Sequence, residues 1–176
     1  MRLLVTASLL LALAGCAQLQ KAPAVASDEA HLSGRISVSI AGDMHNRGTG
    51  GAASFELYGS PAAGRLELTS PLGSLVARAS WSPSVVALQT PDGERRFDDL
   101  DALTREMLGE PVPVSALFDW LKARPWPAAP HQATDKGFEQ LGWRIEPRLP
   151  VLVAKRLAAP VVTLRAKLEG SDEGTP

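Results

Sequence analysis

The chain has 176 residues and a formal charge of −1, so it offers no basic field for nucleic acid. Hydrophobic residues make up 45% of it and aromatic residues only 5%, which predicts a mostly aliphatic interior. Its single cysteine excludes an internal disulfide and any C-x-x-C redox or zinc motif.

In chain order, MRLLVTASLLLALAGC opens with Arg2, an apolar run from Leu3 to Leu13, and the small residues Ala14 and Gly15. That is the layout of a secretory signal over residues 1–15, too short to cross a bilayer with flanks to spare. Leu13-Ala14-Gly15-Cys16 resembles the bacterial lipobox. The resemblance implies cleavage before Cys16, a diacylglycerol on its thiol and an acyl group on its amine. Residues 16–30, rich in Ala, Ser and Pro without a period, read as a lipidated start and flexible tether. The body, residues 31–169, has the size of one domain able to bury a core. The acidic tail, residues 170–176, reads as disordered.

The first half of the body is strand-like. Leu32, Gly34, Ile36, Val38 and Ile40 alternate with Ser33, Arg35, Ser37 and Ser39, the period of a half-buried strand. Residues 41–51 are polar and Gly-rich, a connecting loop. Ala53, Phe55 and Leu57 alternate next, then Leu66 and Leu68, then Leu75, Ala77 and Ala79. Ser70-Pro71-Leu72-Gly73 reads as the hairpin connection between the last two runs. Leu72 is odd there, because turn tips usually carry polar residues. Further strands follow at 84–90 and 94–97. Short strands joined by close turns predict an antiparallel meander with one face buried and one wetted.

The period changes at Asp98. Leu100, Leu103, Met107 and Leu108 recur at helical spacing, with Asp98, Asp99 and Asp101 suited to the helix start and Gly109 to its end. Ser115 is expected to cap a second helix carrying Leu117, Trp120 and Leu121. Strands return after Gly137, with Trp143 and Ile145, then Val151 and Val153, then Val162, Leu164, Ala166 and Leu168. Strands, two short helices and strands again predict a curled, mainly β, α+β fold with helices on its concave side. Periodicity leaves open whether that side is filled or hollow.

The sequence supports no catalytic constellation. His31, His45 and His131 are far apart, and H-E-x-x-H and G-x-S-x-G are absent. Gly48-Thr49-Gly50-Gly51 lacks the Lys-Ser/Thr of a phosphate-binding loop, and helix capping accounts for the three aspartates without a metal. The expectation is a protein that is not an enzyme and needs no cofactor.

Several pieces together are similar to the LolB family, the outer-membrane receptors of lipoprotein localisation. They are Leu32 to Val38, Leu66 to Gly73, Leu108-Gly109 followed by Pro113-Val114, Leu117 and Trp120-Leu121, and Gln140 to Ile145. The lipobox belongs to the same pattern. Two positions depart from it: many members have Gly after the second helix's Trp-Leu, where this chain has Lys122-Ala123, and the last strand lacks its usual nearby tryptophan. The resemblance implies an unclosed antiparallel β-barrel with a short helical lid over an apolar cavity, spanning 31–169. It implies a monomer, lipid-anchored at Cys16 on the periplasmic side of the outer membrane. Its implied partners are a LolA-type periplasmic carrier, acylated lipoprotein cargo and outer-membrane phospholipid. Ala17, not Asp, after Cys16 agrees with outer-membrane placement. Ile36, Val38, Phe55, Leu66 and Leu68, with Trp120 and Trp143 near the helices, are the expected cavity lining, an ordinary packed core being the alternative. Leu72 is expected either to fold back over the sheet edge or to project and enter the bilayer, as the family's protruding apolar loop does. A β-rich outer-membrane scaffold module and a lipid-modifying hydrolase are the other functional readings.

Overall fold

The computed structural model describes residues 30–42 and 47–169. The expected signal, Cys16, the tether through residue 29, His45 and the tail 170–176 lie outside the described residues. Six strands come first: β1 (Ala30–Ile40), β2 (Thr49–Gly59), β3 (Gly64–Thr69), β4 (Leu75–Ser82), β5 (Val85–Thr90) and β6 (Gly93–Phe97). The helices α1 (Leu100–Leu108) and α2 (Val114–Trp120) follow. Then come β7 (His131–Thr134), β8 (Gly137–Gln140), β9 (Trp143–Arg148), β10 (Val151–Arg156) and β11 (Val162–Leu168).

All eleven strands form one antiparallel sheet in the order β6-β5-β4-β3-β2-β1-β11-β10-β9-β8-β7. Two meanders are therefore joined by the pairing of the first strand with the last. Ile36 lies opposite Ala166 and Val38 opposite Leu164. No pairing joins β6 to β7, so the curled sheet stays open, as the family resemblance implied. Gly34 explains how closely β1 and β11 approach: a Cβ there would lie 2.1 Å from the carbonyl oxygen of Lys167. Glycine in a strand often marks such an approach.

The alternating residues deliver one continuous inner face. Phe55, Leu57, Ile145, Leu152, Ala154, Val162, Leu164 and Ala166 are buried there, together with Ala116, Leu117, Phe118, Trp120 and Leu121 of the α2 segment. A second buried group, Ala77, Ala79, Leu88 and Leu103, joins α1 to β4 and β5.

Asp99 caps α1, accepting from the Ala102 amide at 2.7 Å, and Gly109 ends it with φ 76° and its amide on the Arg105 carbonyl. Ser115 does not cap α2. That helix begins at Val114 after Pro113, with no side-chain cap bond. Proline holds φ near the helical value, so the helix starts without one. One strand boundary and one whole strand also differ from the sequence reading. β2 begins at Thr49, inside the expected loop, because β1 is long enough to pair with it. The β7 strand was not foreseen, and it exists by pairing with β8 at the sheet edge.

Candidate functional site

Between the concave sheet and the helices lies an apolar cavity of about 90 Å³. The sheet contributes Ile36, Val38, Leu66, Leu68, Ala77, Ala79, Leu88 and Leu164, and the helical segment contributes Leu103, Met107, Leu108, Val112, Val114 and Leu117. Thr104 is the one polar residue on the wall. Its hydroxyl donates to the Asp101 carbonyl at 3.3 Å and accepts from the Val112 amide at 3.0 Å. Its polar atom is thus occupied by the connection between the helices and does not solicit a polar ligand.

Of the expected lining residues, Ile36, Val38, Leu66 and Leu68 meet on this wall. Phe55, Trp120 and Trp143 do not; all three are buried in the packed core beside it. Trp120 and Trp143 pack against each other with ring centroids 6.2 Å apart. Trp120 Nε1 also donates to Gln140 Oε1 at 2.8 Å. Gln140 is 2% exposed and fully used: its oxygen also accepts from the Trp126 amide, and its nitrogen donates to the carbonyls of Trp126 and Ala129. This residue ties the segment after α2 to β8. The sequence shows Gln140 only as part of the family pattern and not its role, because a polar residue at a strand end carries no mark of burial. The helical wall was legible in part, since Leu103, Met107 and Leu108 stand at helical spacing.

Among the cavity residues, Leu68 and Ala77 lie on the two strands that the β3–β4 connection joins. That connection is a tight, bonded tip. The Gly73 amide donates to the Ser70 carbonyl at 2.9 Å, the Ser70 amide to the Ser74 carbonyl at 2.8 Å, and the Ser74 amide to Ser70 Oγ at 3.2 Å. Gly73 takes φ 81°, a conformation that costs glycine little. Leu72 is held at the point of this tip, 93% exposed. It does not fold back over the sheet edge.

Antiparallel pairing puts the β8–β9 and β10–β11 turns at the same end of the sheet as this tip. They present Leu141 and Leu157, which are also exposed. Elsewhere, His31 stacks on Tyr58 with centroids 4.4 Å apart, and His131 meets the edge of Phe138. Neither is drawn into a cluster. No group of metal-ligating side chains occurs among the described residues, and none of these has a helix long and apolar enough to cross a membrane.

Comparison with known proteins points to one family. The family described as "LolB: Outer membrane lipoprotein LolB" matches residues 28–147. Similar relatives include an outer-membrane lipoprotein LolB of Chromobacterium violaceum, 35% identical over 146 residues that cover 78% of this chain and 77% of the relative. Another, from Thiobacillus denitrificans, is 38% identical over 137 residues, 72% of this chain and 68% of the relative. A third, from Bordetella petrii, is 36% identical over 141 residues, 75% and 70% of the two chains.

Proposed function

The chain belongs to the LolB family of outer-membrane lipoproteins, and from that premise we propose how it works in lipoprotein localisation at the outer membrane. It accepts acylated lipoproteins from a LolA-type periplasmic carrier and inserts them into the inner leaflet of that membrane. It is itself anchored through an acylated Cys16. The observation that carries this reading is an apolar cavity between sheet and helices in a molecule that also holds a bare leucine on a hydrogen-bonded tip.

Exposing an acyl chain to water costs about 0.8 kcal/mol per CH₂, so a chain of around sixteen carbons needs a shield worth roughly 10 kcal/mol. Aliphatic walls without a free polar group provide it without selecting among protein cargoes. A cavity of about 90 Å³ has room for a few waters, not for such a chain. Loading therefore moves α1 away from the sheet and exposes the faces that Leu103, Met107 and Leu108 now cover. Transfer runs downhill in affinity, from carrier to receptor to bilayer, with no nucleotide consumed.

Leu72 acts in the last step. Burying one leucine contributes about 1.5–3 kcal/mol, too little to anchor a protein and enough to orient an anchored one. The test is transfer of a radiolabelled lipoprotein from the carrier to the full chain, followed by delivery to liposomes. Leu72→Glu is expected to fold and to accept cargo as the wild type does, and to deliver it at least ten-fold more slowly, by the ~1.36 kcal/mol-per-decade scale. Delivery by Leu72→Glu at the wild-type rate removes the leucine from the mechanism. A wild-type chain that takes no lipoprotein from the carrier overturns the receptor function itself.

A further inference from the structure

The outer face of the central strands carries charges that cargo transfer leaves unused. Elsewhere on that face cations meet carboxylates: Arg65 and Arg78 each lie 2.9 Å from Glu67, and Arg144 lies 2.7 Å from Glu139. On β1 and β11 the pattern is different. Arg35 stands directly opposite Lys167, and Arg165 opposite Ser37 on the next outward-facing pair. Like charges placed directly opposite weaken a sheet.

The flanking strands offer no relief. They present Ser54 and Ala52 on β2 and Val151 and Val153 on β10. None of the three cations is in an ion pair among the described residues. Glu56 and Glu169 come only one outward-facing pair further from the tip, both beside Ser33. On β9, Glu146 reaches the level of Arg165 but lies 3.8 Å from Arg148, so on β1 and β11 themselves the positive charge lies toward the tip end.

Arg35, Arg165 and Lys167 border an open depression of about 400 Å³ that also takes in the hydroxyl-bearing Ser37 and Ser54. Pro71 forms part of its wall, and the next residue is the bare Leu72. We propose that this depression binds the phosphate of an anionic phospholipid while Leu72 enters the bilayer. Guanidinium groups match phosphate oxygens in paired hydrogen bonds. A lipid surface is the occupant that offers an anion and an apolar layer side by side, matching the cationic hollow and the leucine next to its wall. The site rests on the membrane-receptor reading for its access to lipid, and it gives that receptor a sense of headgroup charge.

The test is hydrogen–deuterium exchange on the full chain bound to vesicles of phosphatidylcholine alone, or with about a third of phosphatidylglycerol. In the charged vesicles, amides of the 70–76 tip and of β11 are expected to exchange more slowly. Each cation near an anionic surface shifts partitioning about five-fold, so the three together shift the docked fraction roughly a hundred-fold. Arg35→Gln, Arg165→Gln and Lys167→Gln combined should erase the difference between the two vesicles, while Arg35→Lys with Arg165→Lys keeps most of it. Exchange at Ile145 and Ala154, on β9 and β10, reports whether each variant is folded. Equal protection in both vesicles overturns the site, as does wild-type protection in a folded triple variant. Inorganic phosphate that protects β11 as fully as the lipid also overturns it, making the hollow a site for free anions. Cargo acceptance from the carrier, measured in parallel, is expected to be normal in the triple variant. Its loss in the wild type would refute the receptor while leaving the exchange result to stand.

Discussion

Ala123 adopts φ 60°, just after α2, with its amide on the Trp120 carbonyl at 2.8 Å. The left-handed region costs a residue with a Cβ roughly 1–2 kcal/mol. Glycine avoids that cost and gives back part of the gain through the freedom of the unfolded chain. Ala123→Gly is therefore expected to raise unfolding free energy by about 0.5–1 kcal/mol, read as a higher urea midpoint at unchanged slope; a lower midpoint would show that the alanine methyl packs usefully. The sequence marks Lys122-Ala123 as a departure from a family pattern that often has glycine there, and a left-handed turn after a helix has that residue preference. Leu72 was legible for a similar reason: Pro-x-Gly fixes a tip, and a leucine at a tip has few places to hide. Phe55, Trp120 and Trp143 were not. Alternation assigns a side chain to a face, and it says nothing of whether that stretch of the face is packed or hollow.

At the scale of elements, the two helices differ in how they are held. In α2, six residues are buried, so it is a plug in the core. In α1 only Leu103 and Thr104 are buried. The rest of its attachment is end capping, partial cover of the cavity, and an exposed Arg95–Glu106 ion pair at 2.9 Å, of a class that contributes at most about 1 kcal/mol. The loosely held element is the one that gives way when a cavity must enlarge. Asp99→Ala removes its cap at a cost of about 1 kcal/mol. Amide exchange in α1 should speed up several-fold while α2 stays as protected as before. Equal acceleration of both helices would mean that they open as one unit. Both helices could be read from their apolar spacing. The β7 strand could not, since all four of its residues, His131 to Thr134, are exposed; it is made a strand by its neighbour rather than by its own pattern.

For the whole molecule, the meanders were readable because each strand pairs with the next. The pairing of β1 with β11 was not, since it joins residues from opposite ends of the chain and leaves no local signal. That pairing has a mechanical consequence. β1 starts at the sheet end opposite the Leu72 tip, and about seven residues of strand, ~25 Å at 3.4 Å each, separate Ala30 from the level of the tip. If the acyl anchor is at Cys16, the stretch between it and Ala30 must double back along the barrel for the tip to touch the same bilayer. Fully drawn out, it spans at most ~45–50 Å. The slack is real but finite. Deleting residues 19–27 leaves a leash of ~18 Å at most, too short for the turn. Such a chain is expected to stay anchored and accept cargo but fail to deliver it to its own membrane, and a Gly/Ser replacement of the original length should restore delivery. Normal delivery by the shortened chain would mean that the barrel lies on its side against the bilayer. With an anchor at Cys16, the number of residues before Ala30 would set which end of the barrel can reach the lipid.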